Sequence, residues 1–124
     1  IAADFSNPWK EGFFDDIYNR IASLDISILI NNTEMGHLLG NFHEIPEDMF
    51  RKEIAVNICP MILLTRKLIS KLKSRTKPTA LLNAFSGTTI PVPYMDGYPS
   101  IKAYIAQLTR SLQIEHPHLD ILCV

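Results

Sequence analysis

Asp25-Ile26-Ser27-Ile28-Leu29-Ile30-Asn31-Asn32 is the stretch on which the fold turns. A short apolar run rich in β-branched residues and closed by polar ones marks a buried strand. Working outward, both flanks are helical. Upstream, Phe13, Phe14, Ile17, Ile21 and Leu24 recur at helical spacing between Trp9 and Leu24, after a Ser6-Asn7-Pro8 start signal with proline suited to a first turn. Ile1 to Asp4 reads as the end of an earlier strand. Downstream, Asn31 to Pro46 is a polar, glycine-containing loop. A long helical pattern then runs from about Glu47 to Leu72, with Phe50, Ile54, Ile58, Met61, Leu64 or Thr65, Leu68 and Leu72 as its apolar stripe.

Thr79 to Phe85 reads as the next strand. Ser86 to Gly97, with Gly87, Pro91 and Pro93, is a loop, Tyr98 to Glu115 a helix, and Leu119 to Val124 a last strand. Strands alternating with helices predict an α/β fold: one domain over residues 1–124 with a parallel, doubly wound sheet covered on both faces. In that architecture ligands sit beyond the C-terminal strand ends, here Asp4 to Ser6, Asn31 to Gly36, and Phe85 to Gly87.

Composition narrows the function classes. The 124 residues are 47% hydrophobic and 20% charged with a net charge of -1, which gives no electrostatic reason to expect nucleic acid. The basic run Lys67 to Lys77 falls where a helix should end, so a favourable dipole interaction and a solvated face account for it. Cys59 and Cys123 lie in apolar runs and read as buried, reduced thiols. No run approaches the roughly 20 apolar residues of a membrane span, so no membrane segment is expected in the chain. His37 and His43 share a loop at the expected ligand side, but their spacing makes no metal site. His116-Pro117-His118 reads as a turn.

The residues that carry chemistry are Tyr98 and Lys102, four apart and so on one helix face. A phenol is a poor base near neutrality, with an unperturbed pKa of about 10. A nearby ammonium stabilises the phenolate. A tyrosine so placed can give a proton to a carbonyl oxygen or take one from an alcohol. Ser86, at a strand end, could polarise the same oxygen.

Tyr98-Pro99-Ser100-Ile101-Lys102 resembles the Tyr-x-x-x-Lys box of the short-chain dehydrogenases. Leu82-Asn83-Ala84-Phe85-Ser86-Gly87 resembles the strand ending in that family's active-site serine, and Asp25 to Asn32 the strand leading into its Asn-Asn-Ala-Gly motif. Val56-Asn57 matches its mid-helix asparagine, and Asp4 its adenine-contacting aspartate. The matches fall in family order across essentially the whole chain. The resemblance implies a Rossmann-type sheet, incomplete here because the first two strands and the C-terminal end lie outside the chain. It implies catalytic roles for Asn57, Ser86, Tyr98 and Lys102. It implies cofactor contacts for Asp4, Asn31, Asn32, Tyr98 and Lys102, with Lys102 on the nicotinamide ribose and Asn57 opening a helix distortion that holds a relay water.

Pro91-Val92-Pro93 and Asn31 to Met35 are similar to the hydroxysteroid dehydrogenase branch, which includes very-long-chain 3-oxoacyl-CoA reductases. That branch implies a ketone or secondary alcohol on a lipid-like substrate and NADP(H) ahead of NAD(H). It also implies the endoplasmic reticulum, with the cytoplasm as the alternative. The family further implies a homodimer through the helices carrying Asn57 and Tyr98.

Three departures weigh against activity. The glycine-rich phosphate loop is absent, its family position falling before Asp4. Glu34 stands where the family has glycine, beside the expected ribose. Ser86 lies one residue nearer to Tyr98 than expected, so the serine slot can also be read as Phe85. These favour a second reading: a non-catalytic dehydrogenase-like protein that keeps the fold for binding or assembly.

Overall fold

A computed structural model of the chain describes residues 1–36, 38–87 and 89–124. Its framework is a three-stranded parallel sheet in the order β1 (Ile28–Asn31), β2 (Ala80–Asn83), β3 (Asp120–Cys123). Leu29 pairs with Leu81 and Leu81 with Ile121; Asn31 pairs with Asn83 and Asn83 with Cys123. Among the described residues there are four helices, α1 (Phe13–Ile21), α2 (Glu47–Asn57), α3 (Cys59–Lys73) and α4 (Gly97–Glu115), and one 3-10 turn at Phe42–Glu44. Residues 1–4 form no strand.

Consecutive strands in order, joined by right-handed crossovers, place both crossings on the same side of the sheet. Accordingly α3 packs on β1, and α4 packs on β2 and β3, while α1 and α2 pack on α3. Leu81 and Ile121 are buried beneath them, at 0% and 3% exposure. The other face leaves Ile28, Ile30 and Leu122 exposed. In this chain, then, helices among the described residues cover one face rather than the expected two.

The core reads directly from helical spacing. On α4, Ile101, Lys102, Ile105, Ala106 and Thr109 are buried, and Ile101 and Ile105 pack with Met61 of α3. Leu68 and Leu72 of α3 are 2% and 1% exposed, and each such leucine contributes about 1.5–3 kcal/mol by leaving water.

The expected helix from Glu47 to Leu72 is two helices. Ile58, between them, has φ -105° and ψ -51°, and Pro60 stands in the first turn of α3. Proline has no N–H to donate to the previous turn and its ring crowds the carbonyl there, so the ladder breaks at this place.

The basic run also has a tertiary role. Lys67 pairs with Asp15 of α1, Lys71 donates to the Ala22 carbonyl, and Arg75 pairs with Asp25. Lys67 and Lys71, four apart on one face of α3, and Arg75 just past its end thus fasten α1 and the connection after it to α3. Cys59 is buried, and burial pushes its thiol pKa up. Cys123, expected inside, is exposed on edge strand β3.

Candidate active site

At the C-terminal ends of β1 and β2 a ladder of polar side chains crosses the sheet. Asn31 Nδ2 donates to Thr65 Oγ1 of α3 at 3.0 Å and to Asn83 Oδ1 at 2.8 Å. Asn83 Nδ2 donates to Thr109 Oγ1 of α4 at 2.9 Å, and Thr109 Oγ1 donates to the Ile105 carbonyl at 2.7 Å. Asn83 and Thr109 are fully buried, where a hydrogen bond left unmade is expensive. The ladder fixes the strand ends relative to both flanking helices. The Asn31 amide expected at a cofactor is therefore engaged inward. Neighbouring Asn32 is exposed.

Beyond β1 the chain is gripped by Asn57, 3% exposed at the end of α2. Asn57 Oδ1 accepts from the Met35 N–H at 2.9 Å, while Nδ2 donates to the Met35 carbonyl at 3.1 Å and to the Glu53 carbonyl at 3.0 Å. The α2–α3 break at Ile58, where Pro60 interrupts the ladder, directly follows Asn57. A cavity of about 60 Å³ adjoins it, with Asn31, Thr33, Asn57 and Ala84 among its lining residues, large enough and polar enough for water.

Holding Met35 sets the residue before it. Glu34 reaches across to the first turns of α4, where its Oε1 accepts from Tyr98 Oη at 2.9 Å and its Oε2 from Lys102 Nζ at 3.0 Å. Lys102 Nζ also donates to the Ala84 carbonyl, 3.3 Å away, and lies 5.2 Å from the centroid of the Tyr98 ring. The lysine side chain is 2% exposed and that of Glu34 46%. A buried ammonium needs a compensating charge or carbonyls, and here it has one of each. Partial burial raises the Glu34 pKa, but the hydrogen bonds from Lys102 and Tyr98 and the ammonium charge outweigh it and hold the carboxyl below its ordinary value.

Among the predicted residues, Tyr98 and Lys102 are thus brought together, and Asn57 is one residue removed through Met35. Ser86 is half-buried three residues past β2. Asp4 is exposed and accepts from the Ser6 N–H at 2.9 Å. That backbone bond, with a hydrogen bond from the Ser6 side chain, keeps its carboxyl below the usual range. His37 lies outside the described residues, and among the described residues no cluster of three or more His, Cys, Asp or Glu could hold a metal. No described helix is long and apolar enough to cross a membrane.

The sequence profile of the short chain dehydrogenases matches residues 9–124. The chain belongs to this family.

Relatives of this short-chain dehydrogenase include a very-long-chain 3-oxoacyl-CoA reductase-like protein of Arabidopsis thaliana, 33% identical over 99% of the chain and 40% of the relative. Human 17-beta-hydroxysteroid dehydrogenase type 3 is 29% identical over 98% of the chain and 39% of its own length. The chain therefore spans about two-fifths of the curated relatives it matches. Among solved structures, a 3-ketoacyl-(acyl-carrier-protein) reductase from Brucella melitensis complexed with NADH superposes with a TM-score of 0.83 at 27% identity, over 99% of this chain and 53% of that one. A bulky-bulky ketone specific alcohol dehydrogenase from Comamonas testosteroni gives 0.85 at 23% identity, over 100% of this chain and 49% of that one, and shows the shared fold. The incomplete Rossmann-type sheet expected from the sequence is thus the fold observed.

The donors Tyr98 and Lys102 suit a nicotinamide ribose in kind. In this conformation, however, both are taken by Glu34.

Proposed function

We propose that the full-length protein is an NAD(P)(H)-dependent oxidoreductase that interconverts a ketone and a secondary alcohol on a lipid-like substrate, a steroid or a 3-oxoacyl-CoA. The observation that carries this reading is Lys102 Nζ lying 5.2 Å from the Tyr98 ring centroid, anchored on the Ala84 carbonyl at a strand's C-terminal end. A bound nicotinamide supplies or takes up the hydride. Tyr98 gives its hydroxyl proton to the carbonyl oxygen in reduction, or receives the alcohol proton in oxidation. The ammonium of Lys102 lies beside the phenol ring. Ser86 steadies the substrate oxygen, and Asn57 feeds protons through the adjoining cavity. Lys102 holds the nicotinamide ribose, with Asp4 and Asn32 as further cofactor contacts, while the Asn31 amide stays in the ladder.

The relatives' names support the substrate class, and the branch resemblance carries NADP(H) and the endoplasmic reticulum with it. The homodimer belongs to this reading too: Phe50, Ile54, Ile58, Ile101 and Tyr104 line an apolar groove between α2 and α4, with Ile54 and Tyr104 among the exposed apolar residues. The test supplies the full-length protein with NADPH and a panel of 3-ketoacyl and steroid ketones. Turnover that Tyr98→Phe abolishes supports the reading, and turnover indifferent to that substitution overturns the mechanism.

One observation favours a second reading, a non-catalytic relative that keeps the fold for binding or assembly. Glu34 takes a hydrogen bond on each carboxylate oxygen, from Tyr98 and from Lys102. Failure of the full-length protein to bind NADPH supports this reading, and turnover lost in Tyr98→Phe excludes it.

A further inference from the structure

Glu34 is held in place from behind. Both backbone polar groups of the next residue, Met35, are bonded to the buried Asn57 side chain, so the carboxylate is presented by a fixed backbone. Its two oxygens divide the donors between them, one to the phenol and one to the ammonium. Among the described residues, the lysine's other hydrogen-bond partner is the Ala84 carbonyl. Glu34 is itself 46% exposed and so can swing toward water, whereas Lys102, at 2%, cannot.

Two roles fit a carboxylate placed there. As a proton acceptor from Tyr98 it is poorly matched, since a carboxylate is a far weaker base than a phenolate. As a competitor it is well matched, because charge-assisted hydrogen bonds are the strong ones and both are formed without any ligand. We propose that Glu34 is a built-in latch, an internal anion that occupies the Tyr98–Lys102 donor pair and is displaced when hydroxyl- or carbonyl-bearing ligands bind. The inference rests on the reading of that pair as the catalytic site. The latched phenol points its proton at Glu34 instead of at a substrate oxygen. An incoming ribose hydroxyl must take over Lys102 while the carboxylate turns out to solvent.

The test measures NADPH affinity of the full-length protein by nicotinamide fluorescence, together with ketone turnover, for wild type, Glu34→Ala and Glu34→Gln. Glutamine keeps the shape without the charge, which covers the case in which alanine destabilises the fold. The latch predicts NADPH binding about tenfold tighter or more in the variants, the worth of one charge-assisted hydrogen bond, and faster turnover. Wild type that binds NADPH as well as both variants, or better, overturns the latch and leaves the oxidoreductase reading standing. No NADPH binding by any of the three overturns both.

Discussion

Asn57 clamps Met35 by both of its backbone polar groups, accepting from its N–H at 2.9 Å and donating to its carbonyl at 3.1 Å. One side chain at the end of α2 thereby sets the course of the loop that delivers Glu34. Asn57→Asp keeps the acceptor but turns a carboxylate oxygen toward the Met35 and Glu53 carbonyls. It should cost about 2 kcal/mol or more, from lost bonds and buried unpaired acceptors. Urea unfolding checks the cost, and hydrogen exchange at the Met35 amide checks its location. An unchanged exchange rate would rule the clamp out.

The Glu34 contacts give a pH dependence of definite sign. Partial burial opposes ionisation, but hydrogen bonds from Lys102 and Tyr98 and the ammonium charge prevail, so its folded pKa lies below the unfolded one. Stability from such a group is present above the unfolded value and disappears as pH falls through the folded value. Urea unfolding of wild type and Glu34→Gln from about pH 7 to about pH 3 should therefore show a gap that closes in acid. A gap independent of pH would mean that the carboxylate's charge contributes nothing.

The stripe on α3 contrasts charge with packing. Lys67→Ala removes a pair whose aspartate side is 64% exposed, and should cost less than about 1 kcal/mol and less still in high salt. Leu68→Ala, one residue on and 2% exposed, should cost about 2–5 kcal/mol in any salt. Chemical denaturation at two ionic strengths distinguishes the two, and equal costs would contradict this division.

Asn83→Leu is matched in size but removes the middle of the ladder. It leaves one Asn31 amide hydrogen without its partner, so about 1–3 kcal/mol should be lost. Thermal unfolding measures this, and a variant as stable as wild type would show that the ladder is energetically neutral.

Much of this was legible in the sequence, because periodicity reports burial. The three strands and α4 lie where their apolar patterns put them. Pro60 was a readable signal for the break at Ile58, yet an unbroken apolar spacing from Phe50 to Leu72 masks it, although only its α3 part is buried and Ile54 on α2 is exposed. The stapling of α1 was not legible: the run Lys67 to Lys77 reads as a solvated face, and the partners of Lys67, Lys71 and Arg75 on α1 and in the following connection are set only by packing. Glu34 stood out as a departure beside the ribose; that it would take the Tyr98 and Lys102 donors depends on the reach of a side chain across two elements. Asn31 and Asn83 end two strands alike, and only pairing them in register turns that likeness into a ladder.

That pairing also bears on how the sheet finds its alignment. A parallel strand slipped by one residue turns each side chain to the opposite face. A slip of β2 against β1 would carry the Asn83 amide out to the uncovered face and strand the Asn31 amide among apolar neighbours. The two asparagines thus act as a proofreading device for assembly: wrong alignments lose hydrogen bonds as well as hydrophobic burial, and the strand ends that carry the site come out level.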